Sequence, residues 1–303
     1  MSPSCAELHA RWRAACRPAH ERFAESRERC REVQERLLRT IVEANAGTSF
    51  GRRHAFARVR SVSEFRRAVP EAGYEDFRPD VERVLRGEAG VLTAEPVERL
   101  HLTSGTERGS KLVPFTAGLR RAFQAAIQPW LYDLYARHPG LRAGKFYWVV
   151  APAGAAVPRG GAVPVGFADD AEYLDPVGRR VLPGLSAAGA EAARARDADE
   201  FQRAAWADLL GEPSLSMISF WSPRFFSELL RRLPERAPEA LRRVHERGGR
   251  ARAREVERIL GRSLDVRGLA RRLWPGLSLV SCWTEGWAAA SLPELGRFFA
   301  GAP

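Results

Sequence analysis

The sequence predicts an α/β protein, with a mixed, largely parallel sheet flanked by helices. Short apolar runs at 97–102, 146–151, 215–220 and 277–283 have the length and the β-branched or aromatic content of strands. Longer segments between them repeat apolar residues every three or four positions, the period of a helix that buries one face. Strands alternating with helices form parallel sheets, whose ligand crevices lie beyond the strand C-termini.

From the N-terminus, Leu8, Trp12, Ala15, Phe23, Cys30, Val33, Leu37 and Ile41 mark an apolar stripe on a helical segment over 5–46. Proline lacks an amide N–H and clashes with the preceding turn, so Pro18 is expected to kink or divide that segment, and Gly47 to end it. Ser61 and Ser63 offer caps for a short helix through Phe65 and Arg67, and Arg78-Pro79 is expected to open another that stops at Gly87. Residues 91–93 and 97–102 read as extended. A helix is expected from Thr116, with Leu119, Phe123, Ile127, Trp130, Leu131 and Leu134 on one face and His138-Pro139-Gly140 as its stop.

After the strand at 146–151, the Gly, Pro and Ala content of 153–166 marks a loop, and Asp169 or Asp170 is placed to cap a helix. A helix over 197–210, the strand at 215–220 and a helix through Leu230 follow, the last with Ser222 as N-cap and Pro223 at its first position. Then come two arginine-rich helices divided by Gly248-Gly249, the strand at 277–283 and a partly helical stretch over 285–295.

Composition excludes several classes. No apolar run approaches the ~20 residues of a membrane-spanning helix. The N-terminus has no apolar core of a secretory signal, so a cytoplasmic protein without a membrane partner is expected. Cys5, Cys16, Cys30 and Cys282 show no metal-ligand spacing and read as free thiols in a reducing compartment, with no metal site. The net charge of +11 gathers at 231–272, which holds fourteen arginines against six acids. That segment has no interleaved aromatics and no nucleic-acid-binding motif, which argues against a dedicated nucleic-acid role.

One stretch is chemically set apart: TSGTERGSKLVPFT, 103–116. Gly105 and Gly109 permit positive φ and close approach of backbone to an anion. Thr103, Ser104, Thr106 and Ser110 offer hydroxyl donors, and Lys111 adds a mobile ammonium. The chain has only two lysines, Lys111 and Lys145, so this loop keeps one where nearly every other base is arginine. It is not a Walker A loop, since three residues separate its glycines and it ends in Lys-Leu. The pattern reads as a phosphate cradle between sheet and helix, to which the following helix N-terminus would add roughly half a positive charge.

TSG-T-x-x-GSKL-x-P-x-T resembles the phosphate loop of adenylate-forming enzymes. Its flanks are similar to the Gretchen-Hagen-type acyl-acid amido synthetases, first known as auxin-responsive proteins of plants and present also in bacteria. The likeness extends to NAGTSFGRRHAF at 45–56, the segment at 61–97, ISFWSPRFFSELL at 218–230 and LWPGLSLVSCWTEG at 273–286, in family order. The resemblance implies a large adenylate-forming N-terminal domain over 1–303, with 5–46 as its helical start. It also implies ATP and Mg²⁺ as cofactors, and a small-molecule carboxylic acid and an amino acid as substrates. Thr103, Ser104, Gly105, Thr106, Gly109, Ser110 and Lys111 would bind nucleotide. Trp221-Ser222 and Trp283-Thr284, at strand ends, would wall the acyl and adenylate pocket with Phe225 and the helix face of Phe123, Ile127 and Trp130. No residue is singled out as catalytic.

Two departures temper that expectation. Glu107 puts an acid inside the loop, where family members carry small or neutral residues. The family's later adenine- and magnesium-contacting motif, its ribose-binding acid and its mobile C-terminal domain do not follow within these residues, so the fold is expected to be incomplete and a shortened form of doubtful activity. The alternatives are a non-catalytic binding or interaction module that retains the fold, and a basic nucleic-acid-associated protein in which the loop is coincidental.

Overall fold

A computed structural model describes residues 3–103, 111–149, 161–166, 170–193, 195, 197–261 and 266–301. In chain order the helices are α1 (Cys5–Arg27), α2 (Cys30–Asn45), α3 (Ser49–Arg53), α4 (Val62–Ala68), α5 (Tyr74–Leu85), α6 (Ala117–Arg137), α7 (Pro176–Leu185), α8 (Ala190–Ala193), α9 (Ala198–Gly211), α10 (Pro223–Arg231), α11 (Leu233–Glu246), α12 (Arg250–Gly261), α13 (Leu269–Leu273) and α14 (Leu292–Phe298). The strands are β1 (Val97–Thr103), β2 (Lys111–Thr116), β3 (Lys145–Val149), β4 (Leu215–Phe220) and β5 (Leu279–Ser281). The chain divides into two compact units, one of residues 17–130 and 155–167, the other of 1–16, 131–154 and 168–303. Among the described residues, no helix is long and apolar enough to cross a membrane.

The unit of residues 17–130 and 155–167 is built on an antiparallel hairpin. β1 and β2 pair from Val97↔Thr116 to Thr103↔Lys111. Leu100 N donates to Pro164 O at 2.8 Å and Leu100 O accepts from Gly166 N at 2.8 Å, which lays 164–166 parallel along the other side of β1. Pro114 sits in β2, at the edge of this two-stranded sheet, where a missing amide is tolerated. Val84, Val91 and Leu100 form the core beneath the hairpin, and Val42, Phe56 and Val59 form a second cluster with Phe50 and Phe65.

The segments at 45–56 and 61–97 are held together here. Thr48 Oγ1 accepts from Gly51 N at 2.9 Å and caps α3. A side chain at Gly51 would collide with the Asn45 carbonyl oxygen, so only glycine fits. Ser49 N and Phe50 N donate to Gly90 O and Val91 O at 2.8 and 3.0 Å, and Ala94 N donates to Asn45 Oδ1 at 2.8 Å. Asp80, with its side chain only 4% exposed, accepts from Arg53 through both oxygens at 2.9 and 3.0 Å and from Arg83 at 3.2 Å. Arg83 also grips Glu88.

The unit of 1–16, 131–154 and 168–303 carries the parallel sheet, in the order β3-β4-β5. Tyr147 pairs with Ile218 and Ile218 with Val280, so the three strands end on the same side. All of β4 is buried, as expected of a central strand covered on both faces. A side chain at Gly144 would strike the Ser214 carbonyl oxygen, which instead accepts from Lys145 N at 2.9 Å and sets the entry to β3. Trp206, Phe226, Trp274 and Phe298 are buried in one core, where Trp206 Nε1 donates to Leu229 O and Trp274 Nε1 to Leu209 O, both at 3.0 Å.

A buried histidine ties α1 to this sheet. His9 Nε2 lies 2.7 Å from Gly144 O, which can only accept, so Nε2 carries the proton and Nδ1 accepts from the Tyr135 hydroxyl at 2.8 Å. Burial holds the His9 pKa below its ordinary value, consistent with this neutral tautomer.

Two expectations are corrected. α1 runs unbroken through Pro18, because the ring faces solvent while Trp12, Cys16 and Ala19 are buried on either side. Their packing outweighs a penalty of about 3 kcal/mol, and the break falls at Glu28-Arg29 instead. α5 opens at Tyr74, not Arg78-Pro79, since the Asp76 carboxylate accepts from Gly73 N at 2.7 Å and caps the earlier start. A short 3-10 helix, Asp170–Tyr173, begins where Asp169 or Asp170 was expected to cap a helix, Asp169 lying outside the described residues; α7 after it is capped by Asp175, which accepts from Gly178 N at 2.6 Å. The strands at 97–102, 146–151 and 215–220 and the helix at 197–210 are found within a residue or two, residues 150–151 lying outside the description, and the last strand shortens to β5.

The Arg53 and Arg83 guanidiniums beside Asp80 hold its carboxyl below the usual carboxylate range, Arg53 contributing most. A depressed folded pKa means that this contribution is full above 3.8, the ordinary value, and is lost as pH falls through the folded value. Asp80→Asn is expected to destabilise the protein at neutral pH by about 2 kcal/mol and to flatten the acid limb of a plot of Tm against pH, measured by differential scanning calorimetry.

Candidate functional site

Thr103 ends β1 and Lys111 begins β2, paired directly across the hairpin, so the predicted cradle is a hairpin connection between antiparallel strands. Ser104, Gly105, Thr106, Glu107, Gly109 and Ser110 lie outside the described residues. The expected loop-to-helix junction is not there. The whole of β2 stands between Lys111 and α6, and the N-terminus of α6 lies at the opposite end of the hairpin, beside Val97↔Thr116.

That helix terminus already has its anion. The Glu95 carboxylate accepts from Gly118 N at 2.6 Å and pairs with Arg121 at 2.7 Å. The Gly118 amide first, with Thr116 and Arg121, holds the Glu95 carboxyl below its ordinary range. The helix dipole therefore does not reinforce Lys111.

Lys111 has a different support, one that residue patterns did not single out. Its ammonium lies 5.8 Å from the centroid of the Tyr74 ring, within cation–π range. The Tyr74 hydroxyl accepts from Leu112 N at 2.9 Å and donates to Leu112 O at 3.3 Å. The first turn of α5 thus grips the first residues of β2. Arg78 also approaches the Tyr74 ring, at 5.5 Å, and both oxygens of Glu75 accept from it at 2.7 Å. The sequence signal for Tyr74 was the capped helix start Gly73-Tyr74-Glu75-Asp76, hidden by the assumption that Pro79 opens the helix.

In the other unit, Trp221 follows β4 directly and Trp283 follows β5 after Cys282. Trp283 N donates to Trp221 O at 2.9 Å, and the two indoles stack with centroids 6.0 Å apart and planes at 25°. Both are open to solvent, 44% and 59% exposed, and form an aromatic ledge at the C-terminal edge of the sheet. Thr284 is exposed beside it and Ser222 half-buried. Ser222 occupies the N-cap position of α10 but its side chain caps nothing; its carbonyl accepts from Phe225 N at 3.0 Å. Phe225 packs on Phe201 at 5.4 Å, against the core. Phe123, Ile127 and Trp130 are half-buried on α6, in the hairpin's unit.

Several arginines of the basic segment pair with neighbouring acids. Arg231 pairs with Glu228 and Glu294, Arg236 with Asp199, Arg243 with Glu191 and Glu239, and Arg247 with Asp208 at 2.7 Å. Arg252 is buried and donates to the carbonyls of Leu210 and Leu273 at 2.9 and 2.7 Å, closing the ends of α9 and α13.

The fold is that of an acyl acid amido synthetase. It superposes on AtGH3.15 acyl acid amido synthetase in complex with 2,4-DB with a TM-score of 0.74 and 19% identity, covering 96% of this chain and 54% of that one. The chain belongs to the GH3 family, whose N-terminal domain matches residues 19–303. It is 33% identical over 118 residues to a probable indole-3-acetic acid-amido synthetase GH3.2 of Oryza sativa subsp. japonica, covering 37% of this chain and 19% of that protein. It is 31% identical over 97 residues to the jasmonoyl--L-amino acid synthetase JAR6 of Nicotiana attenuata, covering 31% of this chain and 17% of that protein. The chain spans about half the length of the solved relative, at 54%.

Trp283→Ala is expected to abolish the exciton couplet that two stacked indoles give in far-UV circular dichroism, while lowering stability by no more than about 1 kcal/mol, because the pair is exposed. A couplet that survives would locate the indole coupling elsewhere.

Proposed function

We infer that this chain carries the adenylation half-site of an ATP-dependent acid-amido synthetase. In the first step a carboxylate oxygen of a small-molecule acid attacks the α-phosphorus of ATP and pyrophosphate leaves, giving an acyl-adenylate. In the second, the amine of an amino acid attacks the acyl carbon, AMP leaves, and an amide is formed. A free carboxylate is a poor electrophile, and adenylation supplies its leaving group. The observation that carries the reading is the family match across residues 19–303.

These residue roles belong to that reading. Lys111, at the mouth of the hairpin connection, neutralises the β- and γ-phosphates, with Thr103 and the hydroxyls and amides of 104–110 as further donors. The indoles of Trp221 and Trp283 offer an apolar ledge, with Ser222 and Thr284 as polar neighbours, and in its own unit the α6 face of Phe123, Ile127 and Trp130 offers apolar surface. Among the described residues, no group of three carboxylates, imidazoles or thiols gathers as a metal cage. Magnesium would come chiefly on the phosphates, as that ion ordinarily does, and would neutralise charge there.

Pyrophosphate exchange into ATP, run against a panel of aryl and alkyl carboxylic acids, tests the reading. Acid-dependent exchange is expected, and Lys111→Ala is expected to weaken ATP binding, read by isothermal titration, by about 10- to 100-fold, the loss of a charge-assisted contact. Unchanged ATP affinity in that variant would remove the nucleotide role of the loop.

A further inference from the structure

We propose that Tyr74 is the positioning residue for Lys111, and that it acts twice on the same strand. Its hydroxyl fixes the backbone of β2 and its ring carries the ammonium of the residue that begins it. The proposal rests on the nucleotide reading above.

The geometry gives each half. Lys111 is the first residue of β2, and a strand is expected to fray at its ends. The Tyr74 hydroxyl meets Leu112 on both backbone groups, accepting from its N–H at 2.9 Å and donating to its carbonyl at 3.3 Å. This closes the strand one residue from Lys111, which limits the swing of its Cα. A lysine side chain has four rotatable bonds, and order at the Cα alone leaves the ammonium free to sweep. The ring, 5.8 Å from Nζ, narrows that sweep and draws the charge to one side of the strand.

The base from which Tyr74 does this is itself fixed. Tyr74 opens α5 directly after the Gly73 cap, and Asp80 in the same helix is locked to Arg53 and Arg83. Arg78 lies near the same ring, and the Glu75 carboxylate at 2.7 Å balances its charge, so the ring can hold a second cation with less repulsion. Tyr74 reaches Lys111 only through these contacts, and nothing in the argument places it on the reacting atoms.

Three variants separate the parts. Tyr74→Phe removes the hydroxyl and keeps the ring; Tyr74→Leu removes both; Lys111→Ala removes the cation. With MgATP titrated calorimetrically onto the full chain, Tyr74→Phe is expected to weaken binding about 5-fold and Tyr74→Leu about 20-fold. In pyrophosphate exchange the change is expected in KM for ATP rather than in kcat. In the Lys111→Ala background neither Tyr74 substitution weakens ATP binding further, which a general destabilisation would not reproduce. Independently of nucleotide, Tyr74→Phe speeds hydrogen exchange of the Leu112 amide at least 10-fold while amides in β4 stay protected. If Lys111→Ala weakens ATP binding and the Tyr74 variants do not, or if their effects add fully to that of Lys111→Ala, this proposal is overturned while the nucleotide reading stands. If Lys111→Ala leaves ATP affinity unchanged, or the unaltered chain binds no ATP, the nucleotide reading falls and takes this proposal with it.

Discussion

The register Thr103↔Lys111 is the constraint on which the proposed nucleotide role of Lys111 depends. Side chains alternate across a strand, so a slip of one residue would carry Lys111 to the other face and leave the ammonium away from Tyr74. Three things oppose the slip. Leu100 is buried at the centre of β1 and cannot exchange places with a polar neighbour without exposing apolar surface. Residues 164–166 bond to Leu100 from the other side. The Tyr74 hydroxyl recognises the backbone of one residue, Leu112. Loop chemistry and strand register are therefore one problem: hydroxyls and glycines can cradle an anion, but pairing decides whether the cation attends.

Glu95 shows why proximity in sequence misleads about electrostatics. The segment KLVPFT read as the tail of a loop leading into a helix. It is a strand, tolerated because Pro114 lies at a sheet edge. A strand rises about 3.3 Å per residue, so six residues carry the helix terminus well outside the range at which a half-charge dipole is felt, which is about one turn. The terminus is instead satisfied locally by Glu95, whose carboxylate takes the Gly118 amide.

What could be read from residues and what could not divide along burial. β4 is visible because LSMISF is apolar on both faces and flanked by breakers, and α9 because Asp197 caps it and an apolar stripe follows. Elements whose ends are settled by packing or by one side chain were misplaced. The continuity of α1 through Pro18 depends on Trp12 and Cys16 being buried, and the start of α5 depends on Asp76 reaching back to Gly73. The site divides in the same way. Trp221 and Trp283 were legible as residues following parallel strands, whereas their stacking requires the parallel register of β4 and β5, which no single segment encodes. Tyr74 was illegible for the same reason, since its partners lie 38 residues away.

The basic segment shows how little composition alone says about function. Fourteen arginines against six acids over 231–272 suggest a polyanion-binding surface when counted in sequence. In space, acids from outside the segment, Glu191, Asp199, Asp208 and Glu294, meet Arg243, Arg236, Arg247 and Arg231. Asp208 has the strongest claim, since its side chain is 3% exposed and its other oxygen accepts from Gly189 N at 2.7 Å. Removing Arg247 would leave that carboxylate buried without its cation, a penalty of several kcal/mol of the kind that fixes a helix pair in place. Arginine here ties α11 and the residue after it to α9 and α8. Net charge over 231–272 therefore reports in part how these helices are fastened.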